Sequence, residues 1–275
     1  MPLPLPTSLS PSKVSSFKEC ALAFRLSAID KVPEPPSPWA TKGTLVHRAL
    51  QLLFWDEDPG GRTLEAALAK LATAWQELST DPEFTGLGLA DEEAAVFLGE
   101  AEVLVRRYFE LEDPNEVRVL GVELKLEASV GGLLLRGIID RLELDADGEL
   151  VITDYKTGRS PGANFELPRM AGVHFYAFLC EQVLGRRPAR IQLLHLAEPV
   201  AISLVPSEQA LRGLRNRTQA IWSAIERACA TEDFRPRPSR LCDFCAYKAY
   251  CPAFGGDLSA VPVAPPKAAP TLVAV

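Results

Sequence analysis

The sequence predicts an α/β fold: a core of strands and helices with a helical lobe before its sheet and a short cysteine-bearing segment after it. Three observations predict this. Up to about residue 112, apolar residues recur at helical spacing. From Val117 to Lys156 they fall in three strand-like runs separated by glycine-containing turns. Beyond residue 165 the pattern gives a helix, two short strands and a long helix. With 275 residues, 47% of them hydrophobic, the chain can bury a sizeable core.

Ser10-Pro11 reads as a cap and first-turn proline, followed by Val14, Phe17, Ala21 and Phe24 at helical spacing. A Pro-rich loop, Lys31 to Pro38, leads to a helix from about Thr41 to Trp55. Amphipathic helices are predicted over Thr63–Leu78 and Asp91–Leu111. Asp113-Pro114 marks the change to strands: Val117–Val130, Leu133–Leu144 and Leu150–Lys156, turned by Gly131-Gly132 and Asp147-Gly148. After a loop, Thr157–Asn164, come a helix (Phe165–Leu184), strands at Arg190–Leu196 and Ala201–Val205, and a helix from Pro206 to Thr231. The Ala/Pro/Val-rich composition after Asp257 predicts a disordered tail. The expected divisions are therefore a helical region (1–112), a core (113–231), a cysteine segment (232–256) and a tail (257–275).

No apolar run is long enough to span a bilayer, and the Pro-rich start lacks the pattern of a secretory signal, so a cytoplasmic protein is expected. Net charge is −7, but it is uneven: residues 185–250 carry eleven Lys/Arg against six Asp/Glu. A basic C-terminal half is a candidate phosphate footprint, with Arg186, Arg187, Arg212, Arg215, Arg217, Arg235 and Arg237 as its members. On charge alone the simpler reading is a solvated, Arg-rich helix face. Six cysteines without an export signal point to metal rather than disulfides. Cys180 and Cys229, isolated in helical patterns, read as buried apolar residues.

The informative stretch is Gly137-Ile-Ile-Asp140-Arg-Leu followed by Ile152-Thr-Asp154-Tyr-Lys156. A three-residue loop, Ala146-Asp147-Gly148, with its glycine left-handed would place residues 145 and 149 opposite each other. Asp140 then faces Asp154, and Lys156, two residues on, shares their face. Like charges directly opposite on a sheet are destabilising, and a divalent cation would offset them. The alternative is a solvent-facing pair neutralised by Lys156. The apolar flanks, Ile138-Ile139 and Leu150-Val151-Ile152, favour a site.

With these motifs the sequence resembles the RecB-like branch of the PD-(D/E)XK nucleases, close to stand-alone RecB-family exonucleases and similar to the CRISPR-adaptation nucleases of that branch. That family pairs an Asp with D-x-K on the next strand, here Asp140 with Asp154 and Lys156, and carries Gly-x-x-x-His upstream, here Gly43 to His47. In motif order the resemblance runs from about residue 8 to 256. It implies a restriction-endonuclease-like core, a mixed sheet flanked by helices, and metal-dependent DNA hydrolysis in repair or recombination. It also implies His47, Asp140 and Asp154 as ligands of Mg²⁺ or Mn²⁺, and Asp140, Asp154, Lys156 and Tyr176 as the catalytic set. Without the resemblance, His47 beside Val46, Leu50 and Leu53 reads as a partly buried structural histidine. Glu123, on the first strand, reads equally as a further acidic neighbour or as an exposed strand carboxylate.

The chain departs from the family at one point. Where the family usually has Gln four residues before the tyrosine, this chain has Gly172 before Tyr176; His174 and Arg169 are candidate substitutes. This motivates a competing reading, a DNA-binding module without turnover, beside a CRISPR spacer-processing nuclease. No P-loop is present, so any helicase acting with the chain would be a separate protein.

Cys242-x2-Cys245-x5-Cys251 needs a fourth ligand, and Cys20 is the candidate. Zinc takes four thiolates. The family resemblance implies a [4Fe–4S] cluster instead, held by one cysteine upstream of the core and three downstream.

Overall fold

The computed structural model describes residues 2–158 and 166–262, with the side chains of residues 166–171 outside the description. The contacts divide the chain into two units. One comprises residues 8–11 and 35–219; the other comprises 1–7, 12–34 and 220–275.

The larger unit is built on a five-stranded mixed sheet in the order β1-β2-β3-β4-β5. Strands β1 (Arg118–Val130), β2 (Leu133–Leu144) and β3 (Leu150–Lys156) form an antiparallel meander. The helix Glu166–Leu184 carries the chain across to β4 (Arg190–His195), which runs parallel to β3, and β5 (Val200–Leu204) returns antiparallel. The parallel step needs a crossover, which that helix supplies. Left-handed Gly131, Gly132 and Gly148 make the two hairpin turns of the meander.

Three long helices precede the sheet in this unit, α1 (Pro38–Asp56), α2 (Leu64–Leu78) and α3 (Asp91–Tyr108), with a single helical turn at Pro82–Thr85 between the last two. Pro38 occupies the first turn of α1, and the Thr63 hydroxyl caps α2 by accepting from the Ala66 N–H at 3.1 Å. Helix α3 begins with Asp91, Glu92 and Glu93 and ends with Arg106 and Arg107, complementing its dipole at both ends. Their apolar faces make one cluster, in which Leu45, Leu50, Leu53, Leu71, Phe97 and Val105 pack with Val122, Tyr155 and Leu194 from the sheet. The helical lobe and the sheet therefore share a core. The crossover helix, α4, packs on β1 and β2 and buries Phe175, Phe178 and Leu179. The remaining helix, α5 (Glu208–Thr231), ends at Thr231 as expected.

In the smaller unit, the helix beginning at Pro11 stops at Glu19. Cys20 takes an extended conformation (φ −158°), and a short helix restarts at Ala21 and widens to a π-helix over Arg25–Ile29. The cysteine segment forms 3₁₀ turns at Arg240–Phe244, Lys248–Tyr250 and Pro252–Phe254. Residues Leu258–Ala260 form one further turn, where a disordered tail was expected; the Asp257 side chain accepts from the Ser259 N–H and closes it. The rest of that tail (263–275) and most of the predicted 157–164 loop lie outside the described residues. Among the described residues, no helix is long and apolar enough to cross a membrane.

Candidate active site

The site begins at the β2–β3 turn. The Asp145 carboxylate accepts from the backbone N–H groups of Asp147 and Glu149 at 3.0 and 2.9 Å, and Gly148 is left-handed (φ +77°). This turn fixes the expected register, with Leu142 opposite Ile152 and Arg141 opposite Thr153. There the paired run ends. One residue further, Asp140 reaches across the gap, and its Oδ2 accepts from the Tyr155 backbone N–H at 2.7 Å. A carboxylate replaces the backbone carbonyl as ladder acceptor.

Asp154 is buried, 4% exposed, and forms an ion pair with the half-exposed Lys156 ammonium. Burial pushes the Asp154 carboxyl up to about 6; Lys156 opposes this, Asp140 adds to it and His47 opposes it. A cation joining the site would favour its ionised form.

His47 comes from α1. One turn earlier, a Cβ on Gly43 would lie 3.1 Å from Thr157 Oγ1, so the glycine lets α1 approach the residue that follows Lys156. The imidazole Nδ1 lies 3.6 Å from Asp140 Oδ1 and 4.0 Å from Glu123 Oε1, and the ring packs edge-on against Tyr155. Burial opposes the charged imidazole. The hydrogen bond to Asp140 and the charges of Asp140, Asp154 and Glu123 outweigh it, so the His47 pKa is raised. The Glu123 carboxyl is also raised, by burial and by Asp140. The ligand atoms of His47, Glu123 and Asp140 all lie within 4.8 Å of one another. Two acids and an imidazole so close, with Asp154 beside them, suit a hard divalent cation that keeps part of its water shell. Glu123, left open by the sequence, lies among these ligand atoms.

Tyr176 on α4 faces the same carboxylates. Burial, followed by the charges of Asp154, Asp140 and Glu123, raises its pKa well above the usual phenol value, so it stays a neutral donor. Gly137 permits this placement: a Cβ there would meet Leu179 Cδ1 at 2.7 Å and the Tyr176 ring at 3.1 Å. The position four residues before Tyr176 is open, since a Cβ on Gly172 would meet nothing within 4 Å. His174 is half-buried on the same helix; the Arg169 side chain lies outside the described residues.

Behind the acids stands a residue that the sequence reading passed over. Arg141 is fully buried. Its guanidinium donates to Tyr155 Oη at 2.9 Å, to Glu112 Oε2 at 2.9 Å and to Glu143, and lies over the Phe54 ring. An arginine between Asp140 and Leu142 in a largely apolar strand, opposite Thr153, was the available signal.

In the smaller unit, Cys20, Cys242, Cys245 and Cys251 line one cavity of about 160 Å³ with Leu26 and Tyr247. Burial raises the Cys245 thiol and the Tyr247 N–H opposes it, while the other three cysteines, close enough to be felt, raise it further. The Ser239 N–H donates to Cys242 Sγ at 3.3 Å. Cys180 and Cys229 are buried, as expected.

The arginines expected to form a basic face are largely engaged. Arg186 pairs with Glu149, Arg187 with Glu181, Arg212 with Glu208 and Arg235 with Asp233. Arg237 donates to the Lys18 carbonyl, and Arg215 lies over the Phe178 ring. They belong to both units, Arg235 and Arg237 to the smaller one, and surface pairs of this kind are weak and exchangeable.

A meander, a helical crossover and a parallel fourth strand, with Asp140 and Asp-x-Lys at the splayed strand ends, define a nuclease-type α/β core. The chain belongs to the PD-(D/E)XK nuclease superfamily, whose family model matches residues 8–252. It is 26% identical over 270 residues to the Gene 69 protein of Mycobacterium phage D29, covering 89% of this chain and 96% of that one. It is 24% identical over 292 residues to the Gene 69 protein of Mycobacterium phage L5, with the same coverage. A candidate exonuclease from Eubacterium rectale shares the fold, with a TM-score of 0.53, 12% identity and 88% of each chain covered.

Proposed function

We propose that this chain is a RecB-like, divalent-cation-dependent deoxyribonuclease acting on DNA ends, as an exonuclease in repair or recombination. The observation that carries this is the convergence of His47, Asp140 and Asp154 beside Lys156, where β2 and β3 part. The exonuclease description of the Eubacterium rectale neighbour is consistent with end-directed action. His47, Asp140 and Asp154 would hold Mg²⁺ or Mn²⁺, which when bound activates water and offsets charge on the phosphate.

The protein's own groups do the rest. Asp140 is held in place by the Tyr155 N–H, so its second oxygen stays turned towards His47. Lys156, pinned by Asp154 but open to solvent, is placed to steady the scissile phosphate and to orient the attacking water. Tyr176, kept neutral, is a hydrogen-bond donor facing the same charges.

The four cysteines support a [4Fe–4S] site. Cys20, Cys242, Cys245 and Cys251 line one cavity of about 160 Å³. Four thiolates at one cavity would also suit zinc, and the family resemblance is what favours the cluster.

The test is incubation with end-labelled single- and double-stranded DNA in Mg²⁺, Mn²⁺ or EDTA. Stepwise shortening with either metal and none in EDTA is expected. Binding without cleavage in every condition would instead support the non-catalytic reading that Gly172 motivates, and internal cuts would remove the exonuclease assignment.

A further inference from the structure

Glu123 sits in the middle of β1. Val122 pairs with Arg141 and Leu124 with Ile139, so Glu123 stands across from Asp140. Three costs attach to a glutamate here. It faces another carboxylate across the strands, where like charges repel. Its side chain is 70% withdrawn from solvent, at 30% exposure. Its backbone is left-handed, φ +47°, a conformation that glycine adopts freely and glutamate does not. Lys31 and Glu232 take such angles too, but outside regular strands; among the described residues Glu123 is the non-glycine residue that does so within a strand. Among the described residues, the one basic group within 4.0 Å of Glu123 is His47, which Asp140 also engages.

The left-handed turn of the backbone coincides with the carboxylate's convergence on His47 and Asp140. We propose that Glu123 is a direct ligand of the divalent cation, completing a His47–Glu123–Asp140 set in which Asp140 is shared with the Asp154 side of the site. Its physiological meaning rests on the nuclease reading, but the binding does not. The site would then offer four protein groups rather than three, while the Lys156 ammonium stays paired with Asp154.

The test is Mn²⁺ binding to the full chain, followed by calorimetry and by the electron paramagnetic resonance of free Mn²⁺, with cleavage measured in parallel. Glu123→Gln keeps size and polarity; Glu123→Gly also removes the backbone strain. Glu127→Gln, which removes a charge from the same strand at an exposed pair with Arg136, is the control. Both Glu123 variants should bind Mn²⁺ at least about tenfold more weakly, since losing even an outer-shell partner costs about 10–100-fold. The metal-free Glu123→Gly protein should melt higher than wild type while gaining less from Mn²⁺. A glutamate with a merely structural role would change the metal-free melting point and leave Mn²⁺ affinity alone. Wild-type affinity in both Glu123 variants, an equal loss in Glu127→Gln, or no Mn²⁺ binding by the wild type at millimolar concentration would overturn the proposal. Tight, Glu123-dependent binding without cleavage would leave it standing and remove the nuclease reading instead.

Discussion

Asp140 Oδ2 accepts a hydrogen bond from the backbone N–H of Tyr155 at 2.7 Å, where the β2–β3 ladder would otherwise continue. One carboxylate thus does two jobs: it satisfies a backbone donor and it faces His47 with its other oxygen, 3.6 Å away. The two jobs separate by substitution. Asp140→Asn keeps an acceptor for Tyr155 but loses the charge, whereas Asp140→Ala leaves the donor without a partner. Both should lose cleavage by on the order of a thousand-fold or more. Only the alanine variant should lose stability, by about 1–3 kcal/mol, the cost of an orphaned buried donor. Urea unfolding of the metal-free proteins measures this; equal stability of the two variants would show that the bond does not hold the site.

The acids also make the empty site sensitive to pH. The Asp154 carboxyl is pushed up to about 6 by burial, and the Glu123 and His47 values are raised as well. A raised value in the folded state means that the group's stabilising contribution is present at low pH and lost as pH rises through that value. Asp154→Asn removes the charge that burial opposes. In EDTA its stability advantage over wild type should therefore grow between pH 5 and pH 8. Binding Mn²⁺ near pH 6 should release protons, because the cation needs the ionised carboxylates and neutral imidazole. Melting curves at the two pH values and calorimetry in buffers of different ionisation enthalpy test both statements; a pH-independent advantage would mean that the Asp154 carboxyl is not raised.

The nearness of the two acids was legible because the Asp147-Gly148 turn fixes the β2–β3 register, whose last pair, Arg141 with Thr153, lies next to Asp140 and Asp154. The sheet's alternation and the capped helices were legible for the same reason: each rests on local pattern. Three features were not. A left-handed glutamate in mid-strand leaves no periodic trace, so Glu123 stayed undecided between site and surface. The splay that sends Asp140 to the Tyr155 N–H depends on where pairing stops, which alternation does not record. Net charge also does not show that Arg186, Arg187, Arg212 and Arg235 have acids beside them. Arg141 was readable in principle, as a second charge beside Asp140 in a largely apolar strand, but its partners Glu112 and Tyr155 lie in other elements.

The cysteine site should be separable from the acids, since the two sets of residues lie in different units. Cys20 and Cys242 are over two hundred residues apart in the chain. A cluster joining them would restrict the unfolded state, by roughly 5 kcal/mol in the cross-link account when strain is ignored. Replacing any of Cys20, Cys242, Cys245 or Cys251 with Ser should lower solubility and melting temperature and bleach absorbance near about 400 nm in anaerobically purified protein. Asp154→Ala should leave iron and sulfide contents unchanged. Stoichiometric zinc without iron would replace the cluster with a zinc clip, and neither metal would remove the cofactor.

Gly172 gives the sharpest contrast between the catalytic and non-catalytic readings. It lies within α4, one turn before Tyr176, where a Cβ would touch nothing within 4 Å. A longer side chain is therefore sterically admissible, and replacing glycine inside a helix should stabilise it by up to about 1 kcal/mol. Gly172→Gln should raise the melting temperature. Set on the helix that carries Tyr176 to the acids, the new amide should also add a polar contact for water or the DNA backbone near them. Cleavage of end-labelled DNA by Gly172→Gln should equal or exceed wild type. A wild type without turnover, made active by this one change, would identify the glycine as the lesion. An active wild type, little changed by the glutamine, would mean that His47, Asp140, Asp154, Lys156 and Tyr176 suffice. Loss of activity in a folded, more stable Gly172→Gln variant would contradict both and indicate that substrate needs the open space above Gly172.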